Sequence, residues 1–259
     1  MSFSILETVD DGISRLTTAQ LLPLLAVAIG IQLVSVIGTQ SQLAAQREQF
    51  ADDPLLADLV PETLPLALEI PLGVALLLWL VAALVAVTVS LVAIRAFVAV
   101  TQTGESWLQL DSLLRGTVSA LAVLIILGIV VPLGLVAFVL PGLFLITVFL
   151  VTLPAIAIER KSALDSLRRS YELTTGHRLR VFGVFLVTLL GFFGISFFGN
   201  IGFLLFGPGS LLAEVLSVAF STIAWLFVLA ALTSTFDQLE ALAATQAEKW
   251  DGTDEELLP

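Results

Sequence analysis

Residues 117–158 read TVSALAVLIILGIVVPLGLVAFVLPGLFLITVFLVTLPAIAI, 42 positions without a charged side chain. As one α-helix this run would measure about 63 Å at about 1.5 Å per residue. The hydrocarbon core of a bilayer is about 30 Å thick. The chain must therefore double back inside the run. Pro141 and Gly142 supply turn chemistry near its middle. A hairpin there gives two spans, 117–138 and 141–158; a re-entrant loop at the same place is the more elaborate alternative.

The same arithmetic extends outward. Residues 181–236 are apolar apart from one acid, Glu214, and Gly207, Pro208, Gly209 and Ser210 mark a turn. They divide into spans 181–206 and 211–236. Upstream, 21–38 and 70–94 are uncharged, the second ending at Arg95. The fold expected is all-α and polytopic: six transmembrane helices in a membrane domain over residues 1–236, then an acidic cytoplasmic tail, 237–259. Composition agrees. The chain is 58% hydrophobic and 13% charged, whereas a soluble domain carries about 25% charged residues.

Between the first two spans lies the one large external loop, 39–69. It holds six acids (Glu48, Asp52, Asp53, Asp58, Glu62 and Glu69) and a single base, Arg47. Its start, from Gln42 to Phe50, has no breaker and is helix-compatible, while Pro54, Pro61 and Pro65 interrupt the rest. In the tail, 238–250 is helix-compatible and 251–259 is expected to fray.

Six spans place Arg47 on one side and the other ten bases on the opposite side: Arg15, Arg95, Arg115, Arg160, Lys161, Arg168, Arg169, Arg178, Arg180 and Lys249. Excess positive charge marks the cytoplasmic face. Both termini are therefore expected inside, in the cell membrane. The N-terminal stretch carries Glu7, Asp10 and Asp11 against one Arg15. A signal peptide starts basic, so the first apolar block reads as a retained anchor.

Several chemistries are excluded or disfavoured. No cysteine is present, so disulfides, thiolate metal sites and cysteine nucleophiles are out. The single histidine, His177, cannot by itself build a histidine-based zinc centre, and it reads as an ordinary interfacial residue. No cofactor is implied. A net charge of -11 disfavours nucleic acid as a partner. Sparse lysine with abundant acid suits a high-salt cytoplasm and points to a halophilic archaeon.

A short pattern precedes spans one, three and five. It reads DGISR from Asp11 to Arg15, DSLLR from Asp111 to Arg115, and DSLRR from Asp165 to Arg169. In a helix each Asp and Arg, four apart, share a face and can pair. Apolar stripes accompany them: Leu6, Val9, Ile13 and Leu16; Trp107, Leu110 and Leu114; Leu164, Leu167 and Tyr171. These predict short amphipathic helices lying on the cytoplasmic leaflet, in three units of surface helix plus hairpin.

The basic segment, 159–183, is the strongest functional candidate. Ser162 is placed to cap a helix with Asp165 in its first turn, running to Thr174 and stopping at Gly176. Arg168, Arg169, Arg178 and Arg180 would then lie near headgroups, as contacts for lipid phosphate or as plain topology anchors. Within the spans, Gln32 and Asn200 are the most notable polar residues, able to line a pathway or to join helices by a hydrogen bond. No ionisable group falls mid-span, which disfavours a proton-coupled pump. Glycines along span five (Gly183, Gly191, Gly194, Gly199, Gly202) and Ala213, Ser217 and Ser221 on span six predict close helix packing.

Pro141-Gly142-Leu143-Phe144, Leu153-Pro154-Ala155, Ser162-Ala163-Leu164 and Arg169-Ser170 form a recognisable series. Leu173-Thr174-Thr175-Gly176 and Arg180-Val181-Phe182-Gly183 continue it. The series resembles the membrane domain attached to some bacterial glycerophosphoryl diester phosphodiesterases, and related six-span proteins including haloarchaeal ones. The resemblance implies a six-helix membrane bundle with interfacial helices. It does not imply phosphodiester cleavage, whose catalytic residues reside in a separate soluble barrel in those fusions.

The function expected is thus non-enzymatic: an integral membrane protein that meets anionic lipid headgroups or a protein partner at the cytoplasmic leaflet. The alternative is a transporter or permease for a lipid-like or small neutral solute. An integral enzyme ranks third, for want of an acid, base or nucleophile constellation.

Overall fold

A computed structural model describes residues 5–16, 22–49, 63–99, 110–207 and 209–255. Among these residues the ordered structure is helical, without a strand. The helices are α1 (Ile5–Leu16), α2 (Leu22–Gln49), α3 (Leu72–Ala99), α4 (Leu110–Ala137) and α5 (Val139–Val148). They continue as α6 (Thr152–Glu159), α7 (Ala163–Thr174), α8 (Arg178–Phe206) and α9 (Leu211–Glu255). Six helical stretches are long and apolar enough to cross a membrane, with mean hydropathy from 2.1 to 2.9; α5 and α6 together supply the fourth. Asp52, Asp53, Pro54, Asp58, Pro61, Glu62, Trp107, Pro208 and the last four residues of the tail, all singled out above by sequence, lie outside the described residues.

Several helices overrun their uncharged stretches. α2 continues through the breaker-free start of the polar loop as far as Gln49. α9 continues through Asp251 to Glu255, where fraying was expected. A formed helix extends at little cost, one hydrogen bond for each residue fixed.

The chain divides into two compact units. One is drawn from 1–18, 90–190 and 227–259, the other from 19–89 and 191–226. In the second unit, two of the glycines expected to pack closely do so, Gly199 and Gly202, whereas a Cβ on Gly194 would meet nothing within 4 Å. A Cβ on Gly199 would lie 3.2 Å from the Ser217 Cα, and one on Gly202 would lie 3.3 Å from the Ala213 Cα. The segment leading into α3 is pinned to α2. The Gln40 side chain accepts from the Leu66 N–H (2.8 Å) and donates to Glu214 (2.9 Å). The Ser41 hydroxyl accepts from the Leu68 N–H and donates to the Ile37 carbonyl.

The first unit holds the apolar core of Val151, Ala155, Leu173, Val181, Val184, Phe236 and Leu239. Here α4 packs along α5, and α7 lies against α6. The turn between α4 and α5 is not where the sequence reading put it. Phe138 is the extended residue (φ -160°, ψ 137°), and Pro141 and Gly142 fall in the first turn of α5. The physical reason is that first-turn N–H groups have no partner within the helix, so proline loses nothing there. Gly142 is needed for a different purpose: a Cβ there would sit 2.4 Å from the Leu135 side chain and 2.8 Å from its backbone nitrogen.

A second interruption falls at residues 149–151, where α5 gives way to α6. Pro154 lies in the first turn of α6 and so belongs to a new helix. Pro132, by contrast, sits inside α4, where its ring nitrogen cannot donate to the Gly128 carbonyl.

These contacts predict opposite signs for two glycine substitutions within one helical hairpin. Gly142→Ala should cost about 1–3 kcal/mol, because Leu135 and its backbone must shift. A Cβ on Gly128 would meet nothing within 4 Å, so Gly128→Ala should be neutral or gain about 0.5 kcal/mol. Thermal unfolding followed by circular dichroism at the helix band checks both.

Candidate functional site

The candidate site is the basic belt of the first unit, and it begins with α7. Ser162 caps this helix: its hydroxyl accepts from the Asp165 N–H (3.4 Å) and donates to the Asp165 carboxylate (2.6 Å). The helix ends at Thr174, and Gly176 takes φ +85°. Both ends fall where sequence placed them.

The orientation of α7 is unusual for an amphipathic helix. Ser166, Ser170 and Thr174 are buried with Leu173, while Leu164 (73% exposed) and Tyr171 face outward. The buried hydroxyls have a task. Ser170 donates to the Val148 carbonyl at 2.8 Å and Thr174 reaches the same oxygen at 3.4 Å. That carbonyl ends α5, where helical partners run out.

The bases of this belt sort by partner. Arg15 is only 7% exposed and bonds to Asp11 and Asp237, each at 2.8 Å. Ser234 donates to the same Asp11 carboxylate, and Thr8 donates to Gln238. A Cβ on Gly12 would lie 3.3 Å from the Ala231 backbone. α1 is therefore fastened along α9 by a polar strip, while its Ile5 packs against the apolar core.

Arg169 bonds to Glu159 at 2.9 Å and approaches Glu240 at 3.7 Å; Lys161 meets the other Glu159 oxygen at 3.3 Å. Arg168 pairs with Glu172 on its own helix. Arg178 lies between two rings, with its guanidinium carbon 4.9 Å from both the Phe144 and Tyr171 centroids. Cation–aromatic contact of this kind is worth about 0.5–2 kcal/mol. Its Nε is buried without a partner.

The predicted Asp-to-Arg pairs thus form in one place out of the three. Asp11 and Arg15 pair. In the third pattern the Asp165 carboxylate is taken by the Ser162 cap, and Arg169 turns to Glu159. Among the described residues no ion pair joins Asp111 to Arg115, and both side chains are exposed.

Of the other residues singled out, Arg180 is exposed and His177 half-buried. Asn200 is exposed, donating to the Ser196 carbonyl of its own helix at 2.8 Å. Gln32 is half-buried on α2, and among the described residues no hydrogen bond joins it to Asn200. Two buried arginines escape a reading of the sequence. Arg15 is one. Arg95 is the other, 8% exposed, with Nε donating to the Ala157 carbonyl (2.8 Å) and Nη1 to Ser112 (3.0 Å). In sequence Arg95 serves only as a topology marker and Arg15 only as that and as a partner for Asp11; the signal that marks their burial is an acid or an exposed helix end within reach in space, Asp237 for Arg15 and the Ala157 carbonyl for Arg95.

A family described as a domain of unknown function, DUF7847, matches residues 4–239. The chain belongs to this family. No curated protein and no solved structure matches it. The resemblance to the phosphodiesterase-linked membrane domain therefore has no named relative behind it. The DUF7847 match ends just past Asp237 and Gln238, so it includes the polar strip between α1 and α9 and excludes Glu240.

Removing the base from that strip should be costly. Arg15→Leu leaves Asp11 and Asp237 facing each other without a cation, and should destabilise the DUF7847 domain by about 2–4 kcal/mol. Arg168→Leu, which cuts an exposed pair on one helix, should change stability by less than about 0.5 kcal/mol. Comparing the two unfolding midpoints in one detergent tests the ranking.

Proposed function

We propose that this protein is a six-span integral membrane domain that engages anionic lipid headgroups, or a partner protein, at the cytoplasmic leaflet without catalysing a reaction. Both termini lie on the cytoplasmic side. α1 and α7 lie along the membrane surface, and Arg168, Arg169, Arg178 and Arg180 face the headgroup layer. The high-salt cytoplasm inferred from the acidic composition belongs to the same proposal.

The observation that carries this reading is the inverted face of α7. Its hydroxyls turn inward while Leu164 and Tyr171 stand exposed. In water that arrangement would waste apolar surface; against a membrane surface it is favourable. The apolar helices support the same view, since Leu77, Leu133, Leu190, Phe193 and Leu205 are all exposed large hydrophobics. Exposed apolar area on that scale marks a surface that meets something other than water. At the end of the belt, Arg180 is exposed and Arg178 is held by two rings beside it. A base near an anionic surface adds about 1 kcal/mol of attraction.

Because the chain lacks cysteine, single introduced thiols report topology without background. In intact cells, a membrane-impermeant maleimide should label Glu69→Cys and spare Glu172→Cys until lysis. Equal labelling of both in intact cells would defeat the proposed topology. For the belt, lipids co-purified in mild detergent are quantified by mass spectrometry. Arg178→Ala with Arg180→Ala should lower the enrichment of anionic over zwitterionic lipid by about five-fold or more, which corresponds to about 1 kcal/mol. An unchanged ratio would remove the lipid role and leave the partner-protein role.

A further inference from the structure

A cavity of about 820 Å³ opens in the first unit between the start of α4 and the turn joining α6 to α7. Three cations line it, Arg115, Arg160 and Lys161, with one acid, Asp111. Among the described residues Arg115 and Arg160 have no acid within ion-pair distance, and both are exposed. Lys161 shares Glu159 with Arg169. Ser162, also in the wall, is occupied by its cap on Asp165.

A fourth cation stands behind the wall. Arg95 is more than nine-tenths buried, and its Nη2 has no hydrogen-bond partner. Its Nη1 donates to Ser112, which lines the cavity. Its Nη2 would lie 3.9 Å from a Cβ on Gly116, another lining residue. Like charges gathered around low-dielectric walls create a field that a counter-anion relieves.

The backbone adds an independent observation. Arg160 takes φ 56° and ψ 32°, the left-handed conformation, at the end of α6. It is the one non-glycine residue with positive φ among the described residues. Helices commonly end on a residue in this conformation, and glycine takes it without the Cβ penalty. A non-glycine residue held there keeps a strain that tends to persist at functional sites.

We propose that this cavity binds a phosphate-bearing anion. Arginine forks match phosphate oxygens bidentately and lysine adds a point charge. The volume falls in the range of small-molecule sites, about 300–1,000 Å³, so it has room for the substituent of a phosphate ester. The anion can come from a lipid headgroup or from solution. The inference goes beyond the headgroup belt, because it uses other residues and its soluble arm does not require contact with lipid.

The test uses the full chain in neutral detergent, titrated with inorganic phosphate and, separately, with short-chain phosphatidylglycerol against short-chain phosphatidylcholine. Binding is read by calorimetry. The variants are Arg160→Gly and Arg115→Gln, singly and together. Arg160→Gly relieves the left-handed strain, so its unfolding midpoint should hold or rise while binding weakens five-fold or more. The double variant should lose ten-fold or more. Phosphatidylglycerol binding that phosphate does not match assigns the site to a headgroup; comparable phosphate binding assigns it to a free anion. If neither probe binds, or if the Arg160→Gly protein binds as the wild type does, the proposal is overturned. Should the double variant unfold early, the Arg160→Gly result alone decides.

Discussion

Where a helix stops inside an apolar body, its last carbonyls must find donors, and the first unit is arranged around that need. A buried backbone oxygen without a partner costs about as much as a lost hydrogen bond or more. The 42-residue apolar run breaks twice and ends once. At the break after Val148, Ser170 and Thr174 of α7 reach back to its carbonyl. At the end of α6, Arg95 reaches across from α3 to the Ala157 carbonyl. α7 is therefore more than a connector: it closes α5, the helix two before it. That requirement turns its hydroxyl face inward and leaves its leucine and tyrosine outside.

The same requirement explains why positive charge in this unit is partly buried. A guanidinium can serve a carbonyl and a hydroxyl at once, as Arg95 does with Ala157 and Ser112. Arg15 serves two carboxylates from two helices. Placing such a group in an apolar body is costly unless most of its donors are used. Each of these arginines keeps one terminal nitrogen unused, Nη1 in Arg15 and Nη2 in Arg95. The two differ in what surrounds them. Arg15 sits among acids, so its charge is balanced. Arg95 reaches a carbonyl and a hydroxyl but, among the described residues, no acid, so its charge is not.

Much of the architecture was legible because it rests on local chemistry. An uncharged run too long for one helix has to turn. Gly207 and Gly209, at φ +82° and +84°, end α8 where the glycine cluster predicted. The Ser162 cap and the Gly176 stop were equally local, since each depends on residues within one turn. What was not legible depended on competition or on distance. Pro141 is compatible with a turn and with the first turn of a helix, and only the packing of Gly142 on Leu135 decides between them. Asp165 lay four residues from Arg169 but three from Ser162, and the cap won. The pairing of Arg15 with Asp11 was local, but its burial could not be read, because its second partner, Asp237, comes from the far end of the chain; those of Arg95 come from two other helices. For the site, the run of arginines at 168–180 drew attention by density. Density measures how many charges a segment carries, not how many remain unbalanced after folding.

That distinction reorders the bases. Arg168 and Arg169 have carboxylates beside them, and Arg178 has two rings. Arg115 and Arg160 come from separate segments, neither residue a candidate contact in sequence, and converge on one cavity. Pairing an exposed base with an acid is easy on a chain with 22 acids and 11 bases. Leaving Arg115 and Arg160 without an ion-pair partner among the described residues, on one cavity with Arg95 behind it, goes against that composition. The left-handed arginine at its edge goes against local backbone preference as well. Sites where charge balance and backbone preference are both set aside are where function most often sits, which makes this cavity, more than the arginine-dense helix, the part of the belt with a specific ligand to hold.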